Sequence, residues 1–266
     1  MRQIRLTVAY DGTAFSGWQS QLDQRTVQDE LETAILRATG IQLRVIGCGR
    51  TDAGVHAMRQ TVTLRYDGPI PGDAFRPALN RFLPGDMTVL ESKDVPYTFH
   101  PIRDIVRKRY RYLIHDGRTH EPMLRRHCWL CRFSSLDIEA MRNAADLLVG
   151  KHDFTSFASK GSPRVTNVRT VNELTLERIS PEILSPLRSA ILENEDVEER
   201  SFIAIEIEAD GFLYNMVRNI VGSLVDVGRG SKSVEWMSDV LEKKDRSIAG
   251  PTAPAEGLYM INTVYP

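Results

Sequence analysis

The sequence predicts a mixed α/β fold of the α+β type: a predominantly antiparallel mixed sheet with helices on one face. Three observations carry this expectation. Segments of strict alternation, such as Ile4, Leu6, Val8 and Tyr10 against Gln3, Arg5 and Thr7, mark half-buried strands. Other segments repeat their apolar residues three and four apart between capping residues and glycines, as helices do. The two kinds follow one another without the regular strand–helix–strand alternation of a parallel sheet. The 266 residues are 42% hydrophobic and 26% charged, which excludes a disordered chain and is ample for a dry core.

The elements are expected in the following order. Asp11-Gly12 turns the chain after the first strand. Thr26 caps a helix, with Asp29 as its capping-box partner, Val27, Leu31, Ala34, Ile35 and Ala38 as its stripe, and Gly40 as its stop. Leu43 to Cys48 and Gln60 to Tyr66 read as strands. A short helix lies within Ile70 to Leu83, and Thr88 to Val95 is a strand. Lys108 to His115 alternates Tyr110, Tyr112 and Ile114 with Arg109, Arg111 and Leu113, so it is a strand. Ser135 to Val149 is expected to be helical, with Gly150 as its stop. Thr170 to Arg178 and Ser201 to Ala209 are expected strands. Met216, Val217, Ile220, Val221, Leu224 and Val225 form the stripe of a further helix that ends at Gly228. Val234 to Glu242 is helical behind a Ser233 cap, and Leu258 to Val264 closes the chain as a strand. Pro181 to Arg200 collects prolines, serines and acids and is expected to be the least ordered segment.

Composition excludes several function classes. No run of roughly 18 apolar residues exists, so no membrane span is expected. No signal-peptide core follows the first residues, and three cysteines are no disulfide framework; a reduced, cytoplasmic protein is expected. The net charge of −1 makes no global case for a polyanion. Its distribution does. Eight bases (Arg103, Arg107, Lys108, Arg109, Arg111, Arg118, Arg125 and Arg126) face only three acids between Arg103 and Arg126, whereas Glu193 to Asp210 carries eight acids against Arg200. One reading is two solvated faces. The sharper one is a basic groove for a polyanion with an acidic surface turned away from it.

The most unusual segment is Gly49-Arg50-Thr51-Asp52-Ala53-Gly54-Val55-His56-Ala57, a carboxylate bracketed by glycines between two strands. Such a loop is a good mount for a reactive group, although Asp in turns also commonly bonds its own backbone. Cys128 and Cys131 form a Cys-x-x-Cys. A zinc site needs four ligands and only Cys48 remains as a thiol, with His120 and His127 nearby in sequence, so the pair is read as buried apolar residues. His56 is read as structural.

At the Asp52 loop the chain resembles the tRNA pseudouridine synthase A family. The family's signature loop is matched from Gly49 to His56 without a gap. Further matches are Tyr10-Asp11-Gly12, Gly17-Trp18-Gln19, Val27-Gln28, Lys108 to Tyr112, His152 to Phe157, Met216 to Gly222 and Ala255 to Tyr259, in family order. Two departures, a longer and more acidic Pro181 to Arg200 and an early end after Leu258-Tyr259, touch no motif.

The resemblance implies a pseudouridine synthase fold with two similar halves, here residues 1–104 with the catalytic loop and residues 105–266 completing the site and an RNA groove. It implies an isomerase that converts uridine to pseudouridine at positions 38, 39 and 40 of the tRNA anticodon arm, working as a homodimer without a cofactor or metal. Carried over residue by residue, it makes Asp52 the nucleophile and Arg218 the cation that pairs with it. Tyr110 lies against the target base, and Leu258 is a wall of its pocket. Arg50 then reaches the flipped nucleotide or a phosphate, and Arg107, Lys108, Arg109 and Arg111 are candidates for backbone contacts.

Residue chemistry agrees with a carboxylate nucleophile, which can add to C6 of uracil or attack C1′ of ribose. A nearby cation would keep it ionised in a closed pocket. Two other readings compete. A non-catalytic RNA-binding protein would have no need of Asp52, Tyr110 and Arg218 together. A hydrolase using Asp52 with His56 lacks a second carboxylate or a metal set at recognisable spacing.

Overall fold

The computed structural model describes residues 1–117, 122–131, 136–159, 166–179 and 202–266. Its strands are β1 (Arg2–Tyr10), β2 (Val45–Gly47), β3 (His56–Tyr66), β4 (Met87–Val95), β5 (Arg107–His115), β6 (Trp129–Leu130), β7 (Gly150–Asp153), β8 (Val168–Ile179), β9 (Phe202–Ala209) and β10 (Leu258–Val264). Its α-helices are α1 (Val27–Thr39), α2 (Phe75–Asn80), α3 (Ile138–Asp146), α4 (Met216–Gly228) and α5 (Trp236–Lys243). This is the mixed α/β architecture expected, with mostly antiparallel strand pairs among the described residues. The expected disorder of Pro181 to Arg200 lies outside them, as do Arg118 and His120.

The chain forms two compact units, one of Met1–Lys108 with Tyr259–Pro266, the other of Arg109–Leu258. This division differs from the expected one at 104/105. The first boundary falls inside β5, and the last eight residues return to the first unit because Tyr259 and Met260 pair with His56 and Ala57.

In the first unit the strands run in the order β4-β1-β3-β10, with β2 also paired to β3. β1 lies antiparallel to β3 from Arg2↔Tyr66 to Val8↔Gln60, and the register then slips so that Tyr10 faces Ala57. An irregularity of this kind re-aims a side chain at the strand end. α1 begins where the sequence says. Thr26 accepts from the Asp29 N–H at 3.2 Å, a cap worth about 1 kcal/mol, and Gly40 closes the helix in the left-handed region at φ 72°. Val27, Leu31, Ala34 and Ile35 are buried. So is Glu32, whose carboxylate accepts from Val45 N–H at 3.1 Å and from Arg44 at 3.0 Å, tying α1 to β2.

In the second unit the order is β5-β9-β8-β7, with β6 parallel to β5. β8 and β9 pair antiparallel from Ile179↔Phe202 to Val171↔Ala209. α3 packs on α4 and β8. It is shorter than expected at both ends. Asp137 caps it by accepting from Ala140 N–H at 3.0 Å, and the chain leaves the helix before Gly150, which opens β7 instead of stopping the helix. No described helix is long and apolar enough to cross a membrane.

The structure corrects the expected segregation of charge. The acidic residues of β9 are not turned away from the basic strand: Arg109 reaches Glu173 at 2.6 Å, Glu206 at 3.0 Å and Glu208 at 3.1 Å, and Arg111 also pairs with Glu206. Burial alone would raise Glu206, but the hydrogen bonds and charges of Arg111 and Arg109 outweigh it and hold the carboxyl below the usual range. Stability from this ladder is therefore intact above the unfolded glutamate pKa and lost as pH falls through the lower folded one. Glu206→Gln should flatten that acid limb in chemical denaturation measured between about pH 3 and 7, around the ordinary carboxylate values. An unchanged pH dependence would show the ladder to be energetically silent.

Candidate active site

The Asp52 loop is pinned from both sides within the first unit. Trp18 N–H donates to Thr51 O at 3.0 Å, and Val55 N–H donates to Asp52 O at 3.1 Å, closing a turn around the aspartate. Thr51 Oγ1 lies 2.8 Å from the Tyr10 hydroxyl, which itself donates to Gln60 Oε1 at 2.6 Å. Gln60 Nε2 donates to Gly49 O at 2.8 Å. Lys108 Nζ, expected on a phosphate, donates to Cys48 O at 2.6 Å at the foot of the loop. Thr51 and Val55 are buried, whereas Asp52 between them is half-buried and Arg50 is exposed. The backbone is thus fixed on both sides of a carboxylate that keeps some access to solvent.

Close approach at the Gly12 turn explains why the neighbouring motif needs a glycine. A Cβ there would lie 2.0 Å from Val55 O, far inside van der Waals contact. Gly12→Ala should push Val55 away and cost about 1–3 kcal/mol as other overpacked sites do, with loss of turnover. A thermal melt within 1 °C of the parent would contradict this reading, since about 1 kcal/mol moves the midpoint by several degrees.

His56 follows the loop as the first residue of β3. It is buried, stacks on Tyr259 with ring centroids 4.6 Å apart, and presents Nδ1 to Gly12 N–H at 3.1 Å and to Asp11 Oδ1 at 3.2 Å. That environment fits the structural part expected of it.

In the second unit, Tyr110 is buried in β5 and meets Phe212 edge-on at 5.0 Å. Tyr112 is the core anchor. It is fully buried, its hydroxyl donates to Pro254 O at 2.7 Å, and burial pushes its pKa well up. Arg218 is the one residue of α4 that is not buried. Its Nε donates to Ala253 O at 2.7 Å and its Nη1 to Asn215 Oδ1 at 3.3 Å, while Ala253 N–H donates back to the Arg218 carbonyl at 3.1 Å. The guanidinium is aimed by these contacts.

The strap that begins at Ala249 is also tied to α4 through Asn219. Its Oδ1 accepts from Thr252 Oγ1 at 2.6 Å and from Arg246 at 2.9 Å. The same strap leads to Leu258, which is buried. A Cβ on Gly257 would sit 2.6 Å from the Tyr112 ring. Tyr112, Arg218 and Leu258 are thereby organised about one segment, 253–258.

Arg107 is exposed, whereas Arg109 and Arg111 are engaged with the β8 and β9 glutamates. The Cys-x-x-Cys flanks the two-residue β6, with both thiols buried. Burial pushes Cys128 up to about 12, far from a reactive thiolate. Sequence reasoning missed the anchoring function of Tyr10, Trp18, Thr51 and Gln60. The first three stood in quoted motifs, but nothing in their spacing says that they grip the loop.

The profile of the tRNA pseudouridine synthase family matches residues 6–103 and 144–266. The chain is 43% identical over 265 residues to tRNA pseudouridine synthase A of Thermoanaerobacter sp. (strain X514), covering 100% of each chain. It is 41% identical to that of Acetivibrio thermocellus and 42% identical to that of Brevibacillus brevis, again over the full length of both. Among solved structures it aligns with the archaeal box H/ACA sRNP Nop10–Cbf5 complex at a TM-score of 0.31 and 11% identity, over 94% of this chain and 61% of that one, a likeness too remote to carry more. The family profile and the full-length relatives define the class, an RNA-modifying isomerase. The chain belongs to the tRNA pseudouridine synthase family, whose members convert uridine to pseudouridine in tRNA.

Proposed function

We propose that this enzyme isomerises uridines 38, 39 and 40 in the tRNA anticodon stem-loop, with Asp52 as the nucleophile and without a cofactor. The observation that carries the reading is the Asp52 loop itself, whose backbone is fixed on both sides of a half-buried carboxylate. The reaction breaks the N1–C1′ bond, turns the uracil and joins C5 to C1′. C5 loses a proton and N1 gains one, so no electrons or groups enter from outside. Asp52 adds to C6 or attacks C1′ and holds the fragment while it turns.

Tyr110 stacks on the base and, through its hydroxyl, helps to move the C5 proton. Arg218 keeps the nucleophile ionised and Leu258 walls the base. Arg50 reaches the flipped nucleotide, and Arg107, Lys108, Arg109 and Arg111 serve the RNA backbone. Arg107 and Arg50 are exposed, which makes them the more accessible of these candidates to a nucleic acid. The enzyme is cytoplasmic, and a homodimer lets a near-neutral chain hold a bulky polyanion by placing a basic surface of one subunit beside the site of the other.

Mass-resolved mapping of pseudouridine in tRNA incubated with the purified chain tests the reading. Conversion at positions 38, 39 and 40, undiminished by EDTA, is expected. Modification elsewhere only, or loss on chelation, would overturn it. Light scattering at micromolar concentration tests the dimer, which a fully active monomer would refute.

A further inference from the structure

We propose that Tyr10 and Gln60 are positioning residues for the Asp52 nucleophile, acting through the two loop residues, Gly49 and Thr51, that flank Arg50. The proposal rests on the reading of Asp52 given above and extends it to groups that touch no substrate. Tyr10, Thr51 and Gln60 are 5%, 7% and 0% exposed, so their polar atoms must find partners within the protein.

The protons can be assigned by counting. Gln60 Nε2 faces a carbonyl, Gly49 O, which only accepts, so this end of the amide is the NH₂ and the other is the acceptor. The Tyr10 hydroxyl therefore spends its single proton on Gln60 Oε1 at 2.6 Å. At 2.8 Å from Thr51 Oγ1, the same oxygen must then receive the threonine proton. A one-directional chain results, Thr51 to Tyr10 to Gln60 to Gly49, spanning the loop beneath its exposed Arg50. Burial raises the Tyr10 pKa, so the hydroxyl keeps the proton the chain needs. The slip in register between Val8 and Tyr10 leaves Tyr10 at the strand end, opposite Ala57 and beside the loop.

Thr51 is the residue before Asp52, and its carbonyl is also held, by Trp18 N–H. With the Thr51 side chain released, the main chain entering Asp52 keeps one anchor of two. Misplacement of a reacting group by about 1 Å can cost on the order of 10²-fold in rate. Positioning thus predicts a loss in the chemical step, not in tRNA binding, because the affinity comes from phosphate contacts elsewhere.

Single-turnover assays with saturating enzyme separate the possibilities, because a misfolded fraction lowers the amplitude whereas misplacement lowers the rate constant. Tyr10→Phe, Gln60→Met and Thr51→Val should each slow the rate constant by roughly 10- to 100-fold, with tRNA affinity within a few-fold. Thr51→Ser, which keeps the hydroxyl, should retain most of the rate. Tyr10→Phe combined with Thr51→Val should be no slower than the slower single variant, since both remove the same bond.

Wild-type rate constants in Tyr10→Phe and Gln60→Met, with losses confined to amplitude or melting temperature, would overturn the proposal. So would multiplicative losses in the double variant. Asp52→Asn assayed alongside distinguishes the two levels. If it is inert while Tyr10→Phe is normal, only the positioning fails; if it turns over normally, the nucleophile reading fails and takes this proposal with it.

Discussion

Asp52→Asn is expected to abolish turnover while leaving tRNA affinity within a few-fold of the parent. The substitution keeps the size and the planar shape of the side chain but replaces one carboxylate oxygen by NH₂ and removes the negative charge that a nucleophile needs. Bonds made by the Thr51 hydroxyl, the Gly49 carbonyl and the backbone of residue 52 hold the loop and remain in the variant. The loop should therefore stand, and the loss should fall on kcat, as expected for a group whose contribution is made in the transition state. Loss of a covalent nucleophile commonly costs several orders of magnitude, on the order of 10⁴-fold or more in well-studied hydrolases. Quantitative pseudouridine mapping alongside a filter-binding isotherm measures both quantities. Turnover comparable to the parent would sink the assignment, and a parallel collapse of binding would make Asp52 a structural or RNA-contact residue.

Arg218→Ala should be the next most damaging change, with kcat reduced by on the order of 10²-fold or more, as when a preorganised electrostatic donor is removed. The fold around it should survive. The strap that Arg218 contacts through Ala253 is independently held by Asn219, Thr252 and Arg246, and Gly250 N–H donates to Ser223 Oγ at 2.9 Å. Arg218→Lys restores the charge but lacks the planar fork that reaches Ala253 O and Asn215 at once, so it should recover only part of the rate. If the guanidinium keeps the nucleophile ionised, its removal lets the carboxylate hold its proton to higher pH. Activity of Arg218→Ala should then climb toward alkaline pH, relative to the parent. A variant with parental kcat, or one losing tRNA affinity and kcat in step, would show that Arg218 contacts RNA instead.

These two residues differ in how they could be found. The Asp52 loop stands out as a glycine-bracketed carboxylate between two strands, and its strand flanks were readable from alternation. The orientation of Arg218 was not. The apolar stripe of α4 gives the helix and its Gly228 end, and it leaves Arg218 as a cation among apolar neighbours. The return of residues 249–254 onto the helix supplies the Ala253 carbonyl, which together with Asn215 Oδ1 aims the guanidinium.

Arg109 and Arg111 show the opposite outcome. A run of bases in one strand reads as a polyanion surface, but the partner strand β9 is almost a hundred residues away in sequence and brings its glutamates to meet them. β7 was missed because Gly150, Lys151, His152 and Asp153 carry no alternation. They form a strand only because β8 offers a partner. Likewise, the parallel pairing of β10 with β3 depends on residues about two hundred apart.

By itself, then, the sequence determined what is decided within one or two turns of chain. These features are the alternation of β1, the Thr26 cap and Gly40 stop of α1, the span of α4 and the last strand. The free energies behind them, in capping, backbone freedom and the burial of one face, belong to neighbouring residues. The family motif around Asp52 is legible for the same reason, being contiguous. The tertiary structure decided which strands pair, which charges are neutralised and which buried hydroxyls and amides grip the Asp52 loop. Tyr10, Thr51 and Gln60 are distant in sequence, and their hydrogen bonds are directional over about 3 Å. Such contacts have no local signature, and they exist only once the sheet has brought its strands into register.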